Sequence, residues 1–153
     1  MKKRLLFRFM LPVLAVASLS LAGCSKATAP DPTPAAPTGL YTTLRMGTVM
    51  AQGGVSSGGT LDIVKTVDGA EFIRFNADFH TDFHTGSLGI YLAKSNDLVR
   101  NQRAADPASV LRVGTITQSG AQLLPITGMS AGFSHVILHC DPAQYNFGAA
   151  ALH

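Results

Sequence analysis

The stretch Leu61-Asp62-Ile63-Val64-Lys65-Thr66-Val67, then Asp68-Gly69, then Ala70-Glu71-Phe72-Ile73-Arg74-Phe75 decides the fold. Two runs rich in β-branched and aromatic residues flank a dipeptide that favours a two-residue hairpin turn. Further along, residues 88–93 read as a strand with Ile90 and Leu92 on one face. Residues 110–117 and 121–126 flank Ser119-Gly120, and that spacing predicts a second hairpin. Residues 133–140 form the clearest strand pattern, and residues 145–152 read as the closing one. Short strands separated by turn residues predict an all-β fold, a single antiparallel β-sandwich. Residues 96–107, with Arg100, Arg103 and Asp106, read as an exposed loop or a brief helix. No internal repeat is present.

The N-terminus carries a different signal. Lys2, Lys3, Arg4 and Arg8 precede an apolar run over residues 11–21, and Leu21-Ala22-Gly23-Cys24 follows. A basic start, a short apolar segment and small residues before a cysteine make up a bacterial lipoprotein signal peptide, here residues 1–23. The apolar run is shorter than the roughly 20 residues a membrane span needs. Cys24 is then the first mature residue and the lipidation site, carrying a diacyl group and an amide-linked chain such as palmitate. Several acyl chains hold a protein to a membrane where one holds it only marginally. Residues 24–38 are the lipidated end and a tether, in which Pro30, Pro32, Pro34 and Pro37 favour extended backbone. Residues 39–153 remain as one domain, near the size at which a single core suffices. The expected location is the bacterial cell envelope, lipid-anchored and facing the periplasm. Ser25, with no Asp beside the lipidated cysteine, favours the outer membrane.

Charge has to be read without the signal. The chain has 12 Lys and Arg against 9 Asp and Glu, and four of the basic residues precede Cys24. The mature part therefore holds eight against nine, a formal charge of −1, so its partners are not expected to include nucleic acid. Two cysteines are present and lipidation takes one. Cys140 is left unpaired in an oxidising compartment, as a buried thiol, a ligand or a link to another chain.

The run His135-Val136-Ile137-Leu138-His139-Cys140 carries the candidate chemistry. Strand alternation puts Val136, Leu138 and Cys140 on one face and His135, Ile137 and His139 on the other. Asp141-Pro142 ends the strand, which predicts Cys140 at a rim where the thiol is partly reachable. His139 is the neighbouring base or second ligand if its ring turns toward the sulfur. A second cluster is His80-Thr81-Asp82-Phe83-His84, with its histidines four apart. Thr85-Gly86 argues against a helix there, and in a strand those two rings sit about 13 Å apart. A loop that gathered His80, His84, His135 and His139, with Cys140, would make a copper or zinc site. Met46, Met50 and Met129 are soft candidates for copper(I). The bland alternative is solvated histidines and core methionines. No nucleophile elbow, zincin helix, phosphate-binding loop or dinucleotide fingerprint occurs, so the chain reads as no classical enzyme.

Several segments together resemble the electron-transfer DM-thirteen domain, which accompanies DOMON domains in Skeletor-type proteins and also occurs in bacterial lipoproteins. They are Gly59-Thr60-Leu61-Asp62-Ile63 with Phe72-Ile73-Arg74-Phe75, residues 83–93, Gly120-Ala121-Gln122 with Pro125, residues 136–140, and residues 147–152. Ser87, Leu123 or Leu124, and His139 stand where the family often has Pro, Tyr and Trp. The resemblance implies a redox role resting on Cys140, with a bound metal or a haem protein as partner. Two expectations follow. One is redox or electron transfer through Cys140 beside His139. The other is a non-catalytic binding or envelope-interaction module with Cys140 in its core and residues 80–86 and 96–107 as recognition loops.

Overall fold

The computed structural model describes residues 39–153, so the expected signal peptide, Cys24 and the expected tether lie outside the described residues. Eight strands follow in order: β1 (Thr42–Ala51), β2 (Thr60–Lys65), β3 (Glu71–Phe75), β4 (Leu88–Ala93), β5 (Val110–Ile116), β6 (Gln122–Pro125), β7 (His135–Cys140) and β8 (Tyr145–Ala151). One helix, α1 (Val99–Ala105), and a single 3-10 turn, Pro107–Ser109, lie between β4 and β5. All ladders are antiparallel, in the order β5-β4-β7-β8-β1-β2-β3-β6. The expected all-β sandwich is the observed architecture, with the sheet nearly closed on itself. Its outer strands β5 and β6 approach where Gly114 faces Leu124.

The hairpin of β2 and β3 pairs Leu61 with Phe75, Ile63 with Ile73 and Lys65 with Glu71. Its turn is one residue longer than the Asp68-Gly69 signal predicts. Thr66 N donates to Ala70 O at 2.9 Å and Gly69 N donates to Thr66 O at 3.0 Å, leaving Val67-Asp68-Gly69 as the loop. Gly69 has φ of 94°, the left-handed residue that a three-residue hairpin loop needs.

The second expected hairpin is not one. β5 pairs with β4 and β6 with β3, at opposite edges of the sheet. The Ser119-Gly120 turn, tied down by Gly120 N donating to Phe79 O at 2.8 Å, carries the chain from one layer to the other. Turn chemistry marks where a chain bends, while the core decides which strand receives it.

β1 escapes sequence reading because its pattern is inverted. Gly47 and Val49 point inward, while Met46, Thr48 and Met50 point out. β1 also joins the layers, pairing with β2 over its first part and with β8 at Val49, Met50 and Ala51. The main core lies between the layers and includes Leu61, Ile63, Ile73, Phe75, Ile90, Leu92, Val136, Leu138 and Phe147. A second, smaller cluster lies on the outer face of β4, β7 and β8. There Val99 of α1 covers Tyr91, Ala93, Ile137 and Ala149.

Candidate functional site

Cys140 and His139 are neighbours in sequence on opposite faces of β7. Cys140 is a free thiol, 0% exposed, in the main core with Val136 and Leu138. The predicted rim position is therefore overturned. β7 does end at Cys140, but the hairpin runs on into β8, and Tyr145, the cross-strand partner of Cys140, packs with Phe147 against the same core. A buried thiol in apolar surroundings behaves as a small hydrophobe.

His139 is also buried, at 1% exposure, but beneath the α1 side of the sheet. A bulge on β8 builds its surroundings. Leu138 pairs with Gly148 and His139 with Asn146, so Phe147 is the extra residue. Such an insertion shifts the side-chain register of one strand against its neighbour. Here it turns Phe147 into the core and sets Asn146 opposite His139. Asn146 Nδ2 donates to Asp97 O at 3.1 Å, which fixes the amide's orientation. Its Oδ1 then faces His139 Nδ1 at 2.8 Å and accepts from it. Nδ1 therefore carries the proton, and in the neutral ring Nε2 holds the lone pair.

The edge of Tyr91 meets His139, with ring centroids 5.7 Å apart and planes at 89°. Tyr91 Oη donates to Asp141 Oδ1 at 2.6 Å, and Arg112 donates to Asp141 Oδ2 at 3.2 Å. The Arg103 guanidinium sits 5.6 Å from the Tyr91 ring centre. Burial alone would lower the Arg112 pKa, but hydrogen bonding to Tyr91 and Asp141 raises it above its ordinary value. Gly89, the β4 partner of His139, makes this packing fit. A Cβ there would lie 2.9 Å from both Asp141 Oδ2 and the Tyr91 ring. The arrangement is a hydrogen-bonded layer that holds an oriented imidazole. The sheet separates it from the Cys140 sulfur, so His139 and Cys140 share no ligand and no proton.

The four histidines expected to gather do not. His80 bridges to Gly58, with Nδ1 3.1 Å from Asp78 O. His84 pairs with Asp82 at 3.0 Å and stacks on Phe147 at 5.4 Å. His135 Nδ1 lies 2.8 Å from Ser134 Oγ, at the far end of β7 from His139. Four residues of strand hold those two rings about 13 Å apart, beyond the span of one ion. Among the described residues, no three His, Cys, Asp or Glu side chains are grouped to hold a metal. The sequence reading of His139 as a ligand missed Tyr91, Asn146 and Asp141, whose roles depend on the bulge and on Gly89. No family model, curated protein or solved structure matches this chain. No described helix is long and apolar enough to cross a membrane.

Proposed function

We propose that this chain is a lipid-anchored, periplasm-facing binding module in which Cys140 is a structural core residue. The observation that carries the reading is the complete burial of Cys140 on the face opposite His139. Redox work through a thiol needs exposure and a stabilised thiolate, and an apolar core supplies neither. The anchor is part of the proposal and rests on the Leu21-Ala22-Gly23-Cys24 segment. The DM-thirteen resemblance belongs to it as well. The resembling segments fall on β2, β3, β4, β6, β7 and β8, and the redox role that the resemblance implies for Cys140 is not carried over.

The surface offered to a partner is α1, within the recognition segment 96–107. Arg100 and Arg103 stand three apart on its exposed side, and neither has a carboxylate ion-pair partner among the described residues. Arg74, Lys94 and Arg112 each meet a carboxylate. Exposed guanidinium groups without a carboxylate partner favour an acidic protein surface as the partner.

Thiol alkylation tests the structural role of Cys140. In a full-length Cys24→Ala chain, Cys140 is the sole thiol. It is expected to resist alkylation in buffer and to react fully in denaturant. Fast labelling of the folded chain would return the redox reading. The anchor has a separate check: Cys24→Ala is expected to abolish lipid labelling and to accumulate uncleaved precursor.

A further inference from the structure

The outer face of β1 carries a row of side chains that neither the core nor the His139 layer uses. Met46 N donates to His153 O at 2.9 Å, and His153 N donates to Met46 O at 3.0 Å. This reciprocal pair continues the β1–β8 register past the end of β8. In such an antiparallel pair the two side chains rise on the same face, from Cα atoms about 5.5 Å apart. On its other side Met46 pairs with Asp62 of β2. The next pair, Gly47 with Leu61, points into the core, so the row His153–Met46–Asp62 faces outward. With Thr48, Thr60 and Asn76 it lines a surface cavity of about 270 Å³. Met46 is 52% exposed there, and His153 is exposed as well.

We propose that Met46 and His153 bind copper(I) at this cavity. The thioether is a soft donor and the imidazole a borderline one, a pair that suits copper(I) and excludes hard cations such as magnesium and calcium. Asp62 Oδ2 is already taken up. Arg74 donates to its Oδ2 from Nε at 3.1 Å and from Nη2 at 2.7 Å, with Asn76 at 3.4 Å. Its part is to neutralise Arg74 and so keep a bare cation away from the metal. Met50, on the same face four residues on, stands about 13 Å from Met46 and takes no part. The site does not rest on the anchor or on the α1 surface.

Copper(I) itself is the probe, titrated anaerobically into the full-length Cys24→Ala chain against a chromophoric copper(I) chelator. One copper per chain is expected, with sulfur and nitrogen scatterers in X-ray absorption. Met46→Leu and His153→Ala are each expected to weaken binding by at least roughly tenfold. Circular dichroism and thermal midpoint should stay unchanged in both, and Met50→Leu should bind as the parent does. The proposal is overturned if the chelator strips all the copper, if both variants bind like the parent, or if Cys140→Ser alone removes the metal.

Discussion

The two outer faces of this sandwich are built on opposite plans. On β4, β7 and β8 the outer face is covered by α1, and Tyr91, Ala93, Ile137 and Ala149 are buried there as thoroughly as core residues. On β1, β2 and β3 it is wet around Met46 to Met50, while Val64 and Phe72 farther along it are buried. It carries Met46, Thr48 and Met50, and a polar ladder in which Arg74 and Asn76 hold Asp62. Antiparallel sheets can leave one face wet, whereas a strand covered on both sides becomes apolar throughout. The difference explains why His139, on an outward face, lies deeper than Met46 on another. Strand alternation assigns a side, and the layer packed on that side assigns the depth.

Ile137→Ala offers the largest test of this contrast. If α1 truly closes its face, the change removes a buried aliphatic group and costs about 2–5 kcal/mol in denaturant unfolding. A cost as small as a surface change would mean that the face is open.

Asn146→Ala is expected to cost less, about 1–3 kcal/mol, because it leaves His139 Nδ1–H without its acceptor in a buried place. Asn146→Asp separates hydrogen bonding from charge: it keeps an acceptor for His139 but loses the donor to Asp97 O.

Acid unfolding sharpens the comparison from the other layer. Glu71, on β3, is buried and accepts from Ser130 N at 2.8 Å, while Arg45 donates to Ser130 O at 2.7 Å and also to Phe133 O. Burial pushes the Glu71 carboxyl up, but hydrogen bonding to Ser130 and the charges of Lys65 and Arg45 outweigh it and hold it below its ordinary value. A carboxyl with a depressed folded pKa contributes stability above its unfolded pKa and loses it as pH falls through the folded one. Stability is therefore expected to decline from about pH 5 downward, with Glu71→Gln flattening part of that slope. The remainder has the same sign. Hydrogen bonds from Thr60, His84 and Lys94 hold Asp78, Asp82 and Asp106 below the usual carboxylate range. A slope identical in Glu71→Gln would remove Glu71 from this account.

Met50→Ala, on the wet face, should change stability least, within about 0.5 kcal/mol. Its side chain is 67% exposed, so little apolar surface is returned to water. A loss as large as that of Ile137→Ala would show that something covers β1.

How much was legible in the sequence varies by element for physical reasons. The hairpin of β2 and β3 was plain, because Leu61, Ile63, Ile73 and Phe75 obey the two-residue period around a glycine turn. β4 and β7 were legible from the same period, down to the separation of Cys140 from His139. β1 was not, because small Gly47 faces in and large Met46 and Met50 face out. The gathering of His80, His84, His135 and His139 is an expectation that no spacing carries, and β7 holds His135 and His139 at its opposite ends.

Local patterning set the strand class and the faces of β7, because periodicity is a local property of the chain. Only the tertiary structure decided the depth of Cys140, the orientation of the His139 ring, the partners of β5 and β6, and the meeting of Met46 with His153. Each of these depends on what a distant segment lays over a face or beside a strand. A bulge at Phe147 or a glycine at position 89 has its effect through a neighbouring strand, where no local pattern can record it.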